Sequence, residues 1–357
     1  MCLQYCVIYP NTEKGDIMSY RIGSFNLRNL GLSSMGKNNP RNLATIAKII
    51  NDERFDIVAL QEVLSQGKAL ASEDYAKNSI LMELGSDWDF AWADAGAEND
   101  PRNEGYAFVW RKSRLRMATT EVSTNYGIVN RTFYPRMCKV NREHMHRQPY
   151  YGRFTTSGVG GGPNVEFRLI CVHTYYGSDT PADRVIRQHE LDVLLKEIYP
   201  QISDRRYGNP LVAYTILLGD YNAELWTRDS RTWQEPLKVS RGGKMPCVMN
   251  TDGDGVVFSH QYDGRAIKTV QDQLTTIKYS QSESDESSSD VSGYSYNYDH
   301  FSYEEKKFDG VKVSVRRISD AVTCYCAPTD GDYSSDFEKY YKTVSDHIPI
   351  MMEIDIL

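Results

Sequence analysis

Apolar, strand-length runs in this chain stop, one after another, at amides, carboxylates or histidines. RIGSF ends in Asn26, DIVALQ in Glu62 and RLICV in His173, while TILL runs into Gly219-Asp220-Tyr221-Asn222. Others stand just before a run: Glu104 precedes Tyr106–Trp110, and Ser345-Asp346-His347 precedes IPIMMEI. Asp299 sits in the aromatic stretch YSYNYDHFSY. Taken singly, each is a turn, a cap or a core hydrogen-bonding group. As a set they constrain the fold, because strands that all end this way can gather their ends on one rim of a sheet, where ligand sites commonly form.

The apolar runs predict strands over Tyr20–Phe25, Ile57–Leu60, Tyr106–Trp110, Val165–Val172, Tyr214–Leu218, Val311–Ile318 and Ile348–Ile354. Apolar residues at three- and four-residue spacing predict helices over Asn42–Asn51, Ala69–Leu84 and Asp183–Tyr199, the last opened by Pro181 and Asp183. Mixed strands and helices with no linker or repeat read as one α/β domain over 18–357, with 1–17 as an extension before Met18. The segment 280–292, SQSESDESSSDVS, is acidic and serine-rich without an apolar anchor, and reads as a mobile loop, with calcium binding as the alternative.

Several classes fall away on composition. No run approaches the roughly 20 apolar residues of a membrane helix, so no stable membrane association is expected. The first residues lack a secretory signal, and a cytoplasmic location is the expectation, with a secreted form left open. Seven scattered cysteines form neither a disulfide framework nor a zinc knuckle, and Cys171, inside an apolar run, reads as a buried thiol. The net charge of −7 runs against nucleic-acid binding taken alone. Between Arg131 and Arg153, however, Arg131, Arg136, Lys139, Arg142, Arg147 and Arg153 face only Glu143.

The residue types at the strand ends suit one chemistry. Phosphodiester hydrolysis needs an activated water, neutralised charge on phosphorus and a proton for the leaving oxygen. Carboxylate and amide oxygens suit Mg²⁺, Mn²⁺ or Ca²⁺. Histidine moves protons near neutral pH, best when a carboxylate holds its other ring nitrogen.

SFNLRN, DIVALQEV, NEGYAFVWR, CVHTYYG, LLGDYNAE, YNYDHF and SDHIPI, in that order from about Tyr20 to the end, resemble the endonuclease/exonuclease/phosphatase superfamily, and within it the deoxyribonuclease I type most. The resemblance implies an α/β (α+β) four-layered sandwich, two mixed β-sheets packed face to face and flanked by helices. It implies metal binding by Asn26, Glu62 and Asp346, with Mg²⁺ expected and Mn²⁺ or Ca²⁺ as alternatives. His173 with Glu104, and His347 with Asp299, match the two catalytic histidines and their acids. Asp220 and Asn222 match the pair at the attacked phosphate. Two mechanisms stay open: the histidines share acid and base roles, or Asp220 activates the water while His347 acts on the phosphate beside the metal.

The implied activity is a DNA endonuclease leaving 5′-phosphate and 3′-hydroxyl ends. Arg28 matches a phosphate-contacting arginine, and Arg147, expected on the strand preceding the His173 strand, resembles another. A phosphatase or phosphodiesterase for a phospholipid or small phosphoester, and an inactive DNA-binding module, are the alternatives. The chain departs from the secreted enzyme in lacking its disulfide cysteines, with Asn297 where one is expected, and in a long connection from Thr232 to Ser292.

Overall fold

A computed structural model describes residues 17–31, 41–64, 79–95, 104–141, 143–159, 162–178, 180–208, 211–223, 256–262, 265–271, 274–277, 293–326, 333 and 335–356. The 280–292 segment, Cys2, Cys6, Cys247 and all of the 1–17 extension but Ile17 lie outside them. In chain order the elements are β1 (Met18–Leu30), α1 (Leu43–Asp52), β2 (Ile57–Val63), α2 (Ile80–Leu84), β3 (Trp88–Asp94), β4 (Gly105–Arg111), β5 (Arg116–Met117), β6 (Thr119–Thr124), β7 (Gly127–Thr132), β8 (Arg136–Met137), β9 (Tyr150–Thr155) and β10 (Val165–His173). There follow α3 (Pro181–Val193), α4 (Tyr199–Ser203), β11 (Val212–Asp220), β12 (Val256–Tyr262), β13 (Arg265–Gln271), β14 (Asp299–Glu304), β15 (Lys312–Arg317), α5 (Asp320–Thr323), α6 (Asp336–Thr343) and β16 (Ile350–Ile356).

One sheet has the order β15-β16-β1-β2-β4-β3, and the other β12-β13-β14-β11-β10-β9-β5 with β8 beside β9. Both mix parallel pairs, β1 with β2 and β10 with β11, with antiparallel neighbours. Alternation builds the layers, since successive side chains on a strand face opposite ways. Tyr20, Ile22, Phe108, Leu169, Leu218, Phe301 and Met352 pack between the sheets. On the outer face of the first sheet, Phe25, Val58 and Met351 meet Ile46 and Ile50 of α1 and Tyr340 of α6. On the outer face of the second, Ile170 and Leu217 meet Leu191 of α3 and Tyr199 of α4. The helix–sheet–sheet–helix sandwich follows from these three apolar layers.

The seven expected strands are present. Of the 69–84 helix, residues 69–78 lie outside the described ones, and helix is seen over 80–84. The expected 183–199 helix starts with a capping box between Thr180 and Asp183, but widens into a π-turn over Leu194–Ile198. Pro200 supplies the reason: it has no N–H to give the carbonyl one turn back. Arg147 sits in a bend ahead of β9 rather than on that strand. Periodicity missed β9 and β14 because both bury polar residues, Arg153 and Thr155 in one and Asp299, His300, Ser302 and Glu304 in the other, so neither an apolar run nor an alternation appears. Cys171 is buried as expected. No described helix is long and apolar enough to cross a membrane.

Candidate active site

The site is the polar end of the inter-sheet core. His173 and Asp220 stand two residues beyond the inward-facing Cys171 and Leu218, and Asp299 and Glu104 two residues before the inward-facing Phe301 and Tyr106. Asn26 continues the row of Tyr20 and Ile22 on β1. Parallel pairing sets Asn26 beside Gln61 and His173 beside Asp220, and antiparallel pairing sets Asp220 opposite Asp299. All these groups therefore reach one rim. Glu62 has the outward parity, but a register shift between Leu60 and Val63 and its left-handed backbone, φ 56°, turn it to the same place.

Left-handed φ at a non-glycine residue is strained and clusters at functional sites. Of the five among the described residues, four are Arg28, Asn29, Glu62 and Asn222, all at this rim. Hydrogen bonds hold them there: Asn29 N donates to Glu62 Oε2 (2.9 Å), Arg28 N to Asn26 Oδ1 (2.9 Å) and Asn222 N to Asp220 Oδ1 (2.8 Å). Buried Arg41 donates twice to the Arg28 carbonyl and once to that of Tyr341, tying the turn to α6. Its guanidinium is held down at about 10 by burial and the nearby Arg28 charge.

Two histidine–carboxylate pairs face each other. Glu104 Oε1 lies 2.6 Å from His173 Nδ1, and Asp299 Oδ2 lies 2.8 Å from His347 Nδ1. Each pair spans the two sheets, in opposite senses: the first sheet lends its acid to a histidine of the second, and the second lends its acid to His347, three residues ahead of β16. Accepting the Nδ1 proton leaves each Nε2 toward the cleft. Both Nε2 atoms approach the same oxygen, Asp220 Oδ2, at 3.6 Å and 3.5 Å, and Asn26 Nδ2 donates to it at 2.9 Å. Asn26 Nδ2 also donates to Glu62 Oε1 (3.1 Å), and Asn222 Nδ2 to the Thr174 carbonyl (2.8 Å).

Charge at the rim follows from burial set against partners. Burial alone raises the Glu104 carboxyl, but the His173 imidazole and the Arg147 guanidinium outweigh it and hold it down at about 2. His173 is lowered by burial and by Arg147, yet the carboxylates of Glu104 and Asp220 leave it raised overall. Burial also opposes the charged form of His347, and Asp299 and Asp220 override it, so that imidazole rises well above its ordinary value.

Glu104 therefore stabilises the fold through its charged form. That contribution is complete above the unfolded value near 4.5 and is lost as pH falls toward 2. A Glu104→Gln variant leaves buried Arg147 unpaired and is expected to be about 3 kcal/mol less stable at neutral pH. Urea unfolding of both proteins between pH 7 and pH 2.5 checks this. The gap should narrow below about pH 4.5, and a constant gap would refute it.

Hard oxygen donors suit a divalent cation here: Glu62 and Asp346 line the cleft, and Asn26 touches Glu62. Asp299 Oδ1 is buried without a hydrogen-bond partner, and ligand atoms of Asp220, Asp299 and His347 lie within 4.8 Å of one another. Asp346 pairs with Arg28 (3.2 Å), whose guanidinium lies 4.0 Å over the Tyr341 ring and donates to its hydroxyl. Arg147 Nε is 2.8 Å from Glu104 Oε1. Both arginines nominated from the sequence are thus engaged with carboxylates of the site.

The cleft, about 750 Å³, is walled on one side by Tyr176, Tyr296 and Tyr298. Tyr296 and Tyr298 stack at 5.0 Å and Tyr176 lies 6.2 Å from Tyr298. Sequence reading took Asp299 from the YSYNYDHFSY run and passed over this wall, although the tyrosine spacing was its signal. Arg41 and Tyr341 had no signal, since their roles arise from tertiary contact.

The family model described as Endonuclease/Exonuclease/phosphatase family matches residues 23–270. Asp299, Asp346 and His347 fall beyond that span and join the site through the fold. No curated protein matches the chain. Truncated Caenorhabditis elegans TDP2 is 16% identical, with 95% of this chain and 98% of that one covered at a TM-score of 0.47. The Bacteroides thetaiotaomicron mannosyl-6-phosphatase Bt3783 is 15% identical, with 94% and 99% covered at 0.43. A functionally unknown conserved protein from Enterococcus faecalis is also 15% identical, with 94% and 98% covered at 0.48. A family match that runs from the first strand into the far edge of the second sheet makes this chain a member of the Endonuclease/Exonuclease/phosphatase family.

Proposed function

We propose that the protein is a divalent-metal-dependent phosphodiesterase that cuts DNA internally, leaving 5′-phosphate and 3′-hydroxyl ends. Family membership sets phosphoester hydrolysis as the reaction class. The observation that carries the reading is the convergence of two carboxylate-held imidazoles on Asp220 Oδ2. Asn26, Glu62 and Asp346 hold the cation, Mg²⁺ foremost with Mn²⁺ or Ca²⁺ equally suited to oxygen donors. When bound, that ion neutralises charge on the attacked phosphate.

The chain's own groups do the rest. Glu104 and Asp299 fix the orientation and tautomer of His173 and His347, which share the acid and base roles across the scissile bond. Asp220, within reach of both, aligns the attacking water, and Asn222 is pinned beside it by Thr174. Arg28 and Arg147 place positive charge at the rim while steadying Asp346 and Glu104. A small sugar phosphoester is the second reading, favoured by the tyrosine wall, which suits a sugar ring as well as a base.

Supercoiled plasmid tests the proposal. With Mg²⁺ it should pass to nicked and linear forms, EDTA should stop this, and the ends should ligate without kinase treatment. Plasmid left intact under Mg²⁺, Mn²⁺ and Ca²⁺, while a small phosphate ester is hydrolysed, would transfer the assignment to the second reading.

A further inference from the structure

Arg28 and Arg147 are both ion-paired inside the site, so the attraction of a polymeric phosphate backbone must come from elsewhere on a chain of net charge −7. Between Thr119 and Asn141 the charged residues are Arg131, Arg136 and Lys139 against Glu121. All three cations are exposed, and among the described residues none of them forms an ion pair. A fourth, Arg205, reaches the same surface from the turn after α4. Arg136 lies 5.1 Å over the Phe133 ring, Phe133 lies 6.2 Å from Tyr207, and Arg205 lies 6.0 Å over Tyr207. Among the described residues, Glu121, packed against Gly208, exposed Glu143, and Asp204, which pairs with Arg265, are acidic groups beside these cations. Tyr134, 70% exposed, stands among the cations.

The strip leads to the cleft. Met137 pairs with Tyr150, and Tyr150 with Cys171, two residues from His173. At about 4.8 Å per strand step, β8 lies roughly 10 Å across the sheet from the His173 strand. The 138–149 segment then carries His146 and Arg147 into the cleft wall.

We infer that the edge formed by Arg131, Arg136, Lys139 and Arg205 binds the phosphodiester backbone of the nucleic-acid strand leading away from the cleaved bond, which makes the substrate a polynucleotide rather than a small ester. This rests on the phosphoester-hydrolase reading for its cleaved bond, but not for its binding. Unpaired cations interleaved with an exposed aromatic suit a polynucleotide, whose charges repeat and whose bases stack. An anionic membrane suits the geometry less well. The apolar tip of the β6–β7 hairpin, Tyr126 to Ile128, carries no cation, and the basic residues lie at its base and along β8.

The test compares the full chain with a variant carrying Arg131→Ala, Arg136→Ala, Lys139→Ala and Arg205→Ala. Binding of fluorescein-labelled single-stranded and duplex 20-mers is read by anisotropy in EDTA across a salt series. Turnover of thymidine 5′-(p-nitrophenyl) phosphate is read with Mg²⁺. Loss of four phosphate contacts should weaken binding about 10–100-fold at moderate salt and flatten the logarithmic salt slope by about 3. Ester turnover should stay within about twofold, because β8 is set roughly 10 Å, about a Debye length, across the sheet from the His173 strand.

An unchanged oligonucleotide affinity and salt slope in the variant overturns the inference. So does wild-type protein that ignores both oligonucleotides yet binds phosphatidylserine vesicles through these residues. If binding depends on the strip while neither ester nor plasmid is hydrolysed, the inference stands and the hydrolase reading fails.

Discussion

Replacing His347 by alanine is expected to lower turnover on plasmid DNA by about 10²–10⁴ while leaving the protein folded. Its Nε2 is one of two imidazole nitrogens facing Asp220 Oδ2, and its Nδ1 is committed to Asp299. Removing the ring strands Asp299 in a buried place, where burial raises its carboxyl and favours the protonated form. That neutralisation limits the cost to stability. Asp299→Asn is the comparison: it keeps the imidazole and loses only the charge that orients it, so it should lose less activity than His347→Ala. Initial rates at saturating Mg²⁺, with circular dichroism as the fold control, decide the matter. Equal losses, or a His347→Ala enzyme within tenfold of wild type, would remove His347 from the proton-transfer role.

Gly219→Ala should be the most damaging substitution of a single methyl in the second sheet. Gly219 pairs with Val172 on the neighbouring strand, and its backbone has φ 144°, which favours glycine. A Cβ there would overlap the Val172 carbonyl oxygen, which is backbone and has nowhere to go. Strain and overpacking together put the cost on the order of 3 kcal/mol, or roughly 4 °C in melting temperature for a chain of this length. The damage should also reach function, because β10 and β11 carry His173 and Asp220 one residue further on. Calorimetry and plasmid nicking measured on the same sample check both parts, and a melting temperature within 2 °C of wild type would contradict the packing argument.

Much of this was legible in the sequence, for reasons that differ between fold and site. Strands such as Val165–His173 announce themselves through an unbroken apolar run, here Leu169–Val172. Asp299–Glu304 does not, since Asp299, His300 and Ser302 are buried by hydrogen bonding, and no apolar period records that. The site was legible where a polar residue ended an inward row: Asn26, His173 and Asp220. Glu62 lies off that row, and its place depends on a bulge that a one-dimensional pattern does not contain. The ion pairs of Arg28 with Asp346 and Arg147 with Glu104 were equally hidden. They join residues 318 and 43 positions apart, so nothing local in the chain records them.

The crossed arrangement of the two histidine–acid pairs gives the inter-sheet core a second duty. Neither sheet owns a complete pair, so the separation and sliding of the sheets fix both imidazoles at once. Phe108, Leu169 and Leu218 act as shims in this sense, their thickness measuring out the reach from Glu104 to His173 and from Asp299 to His347. A change of volume in that layer moves both imidazoles together, so under the proposed mechanism turnover should report on the spacing of side chains that lie outside the cleft.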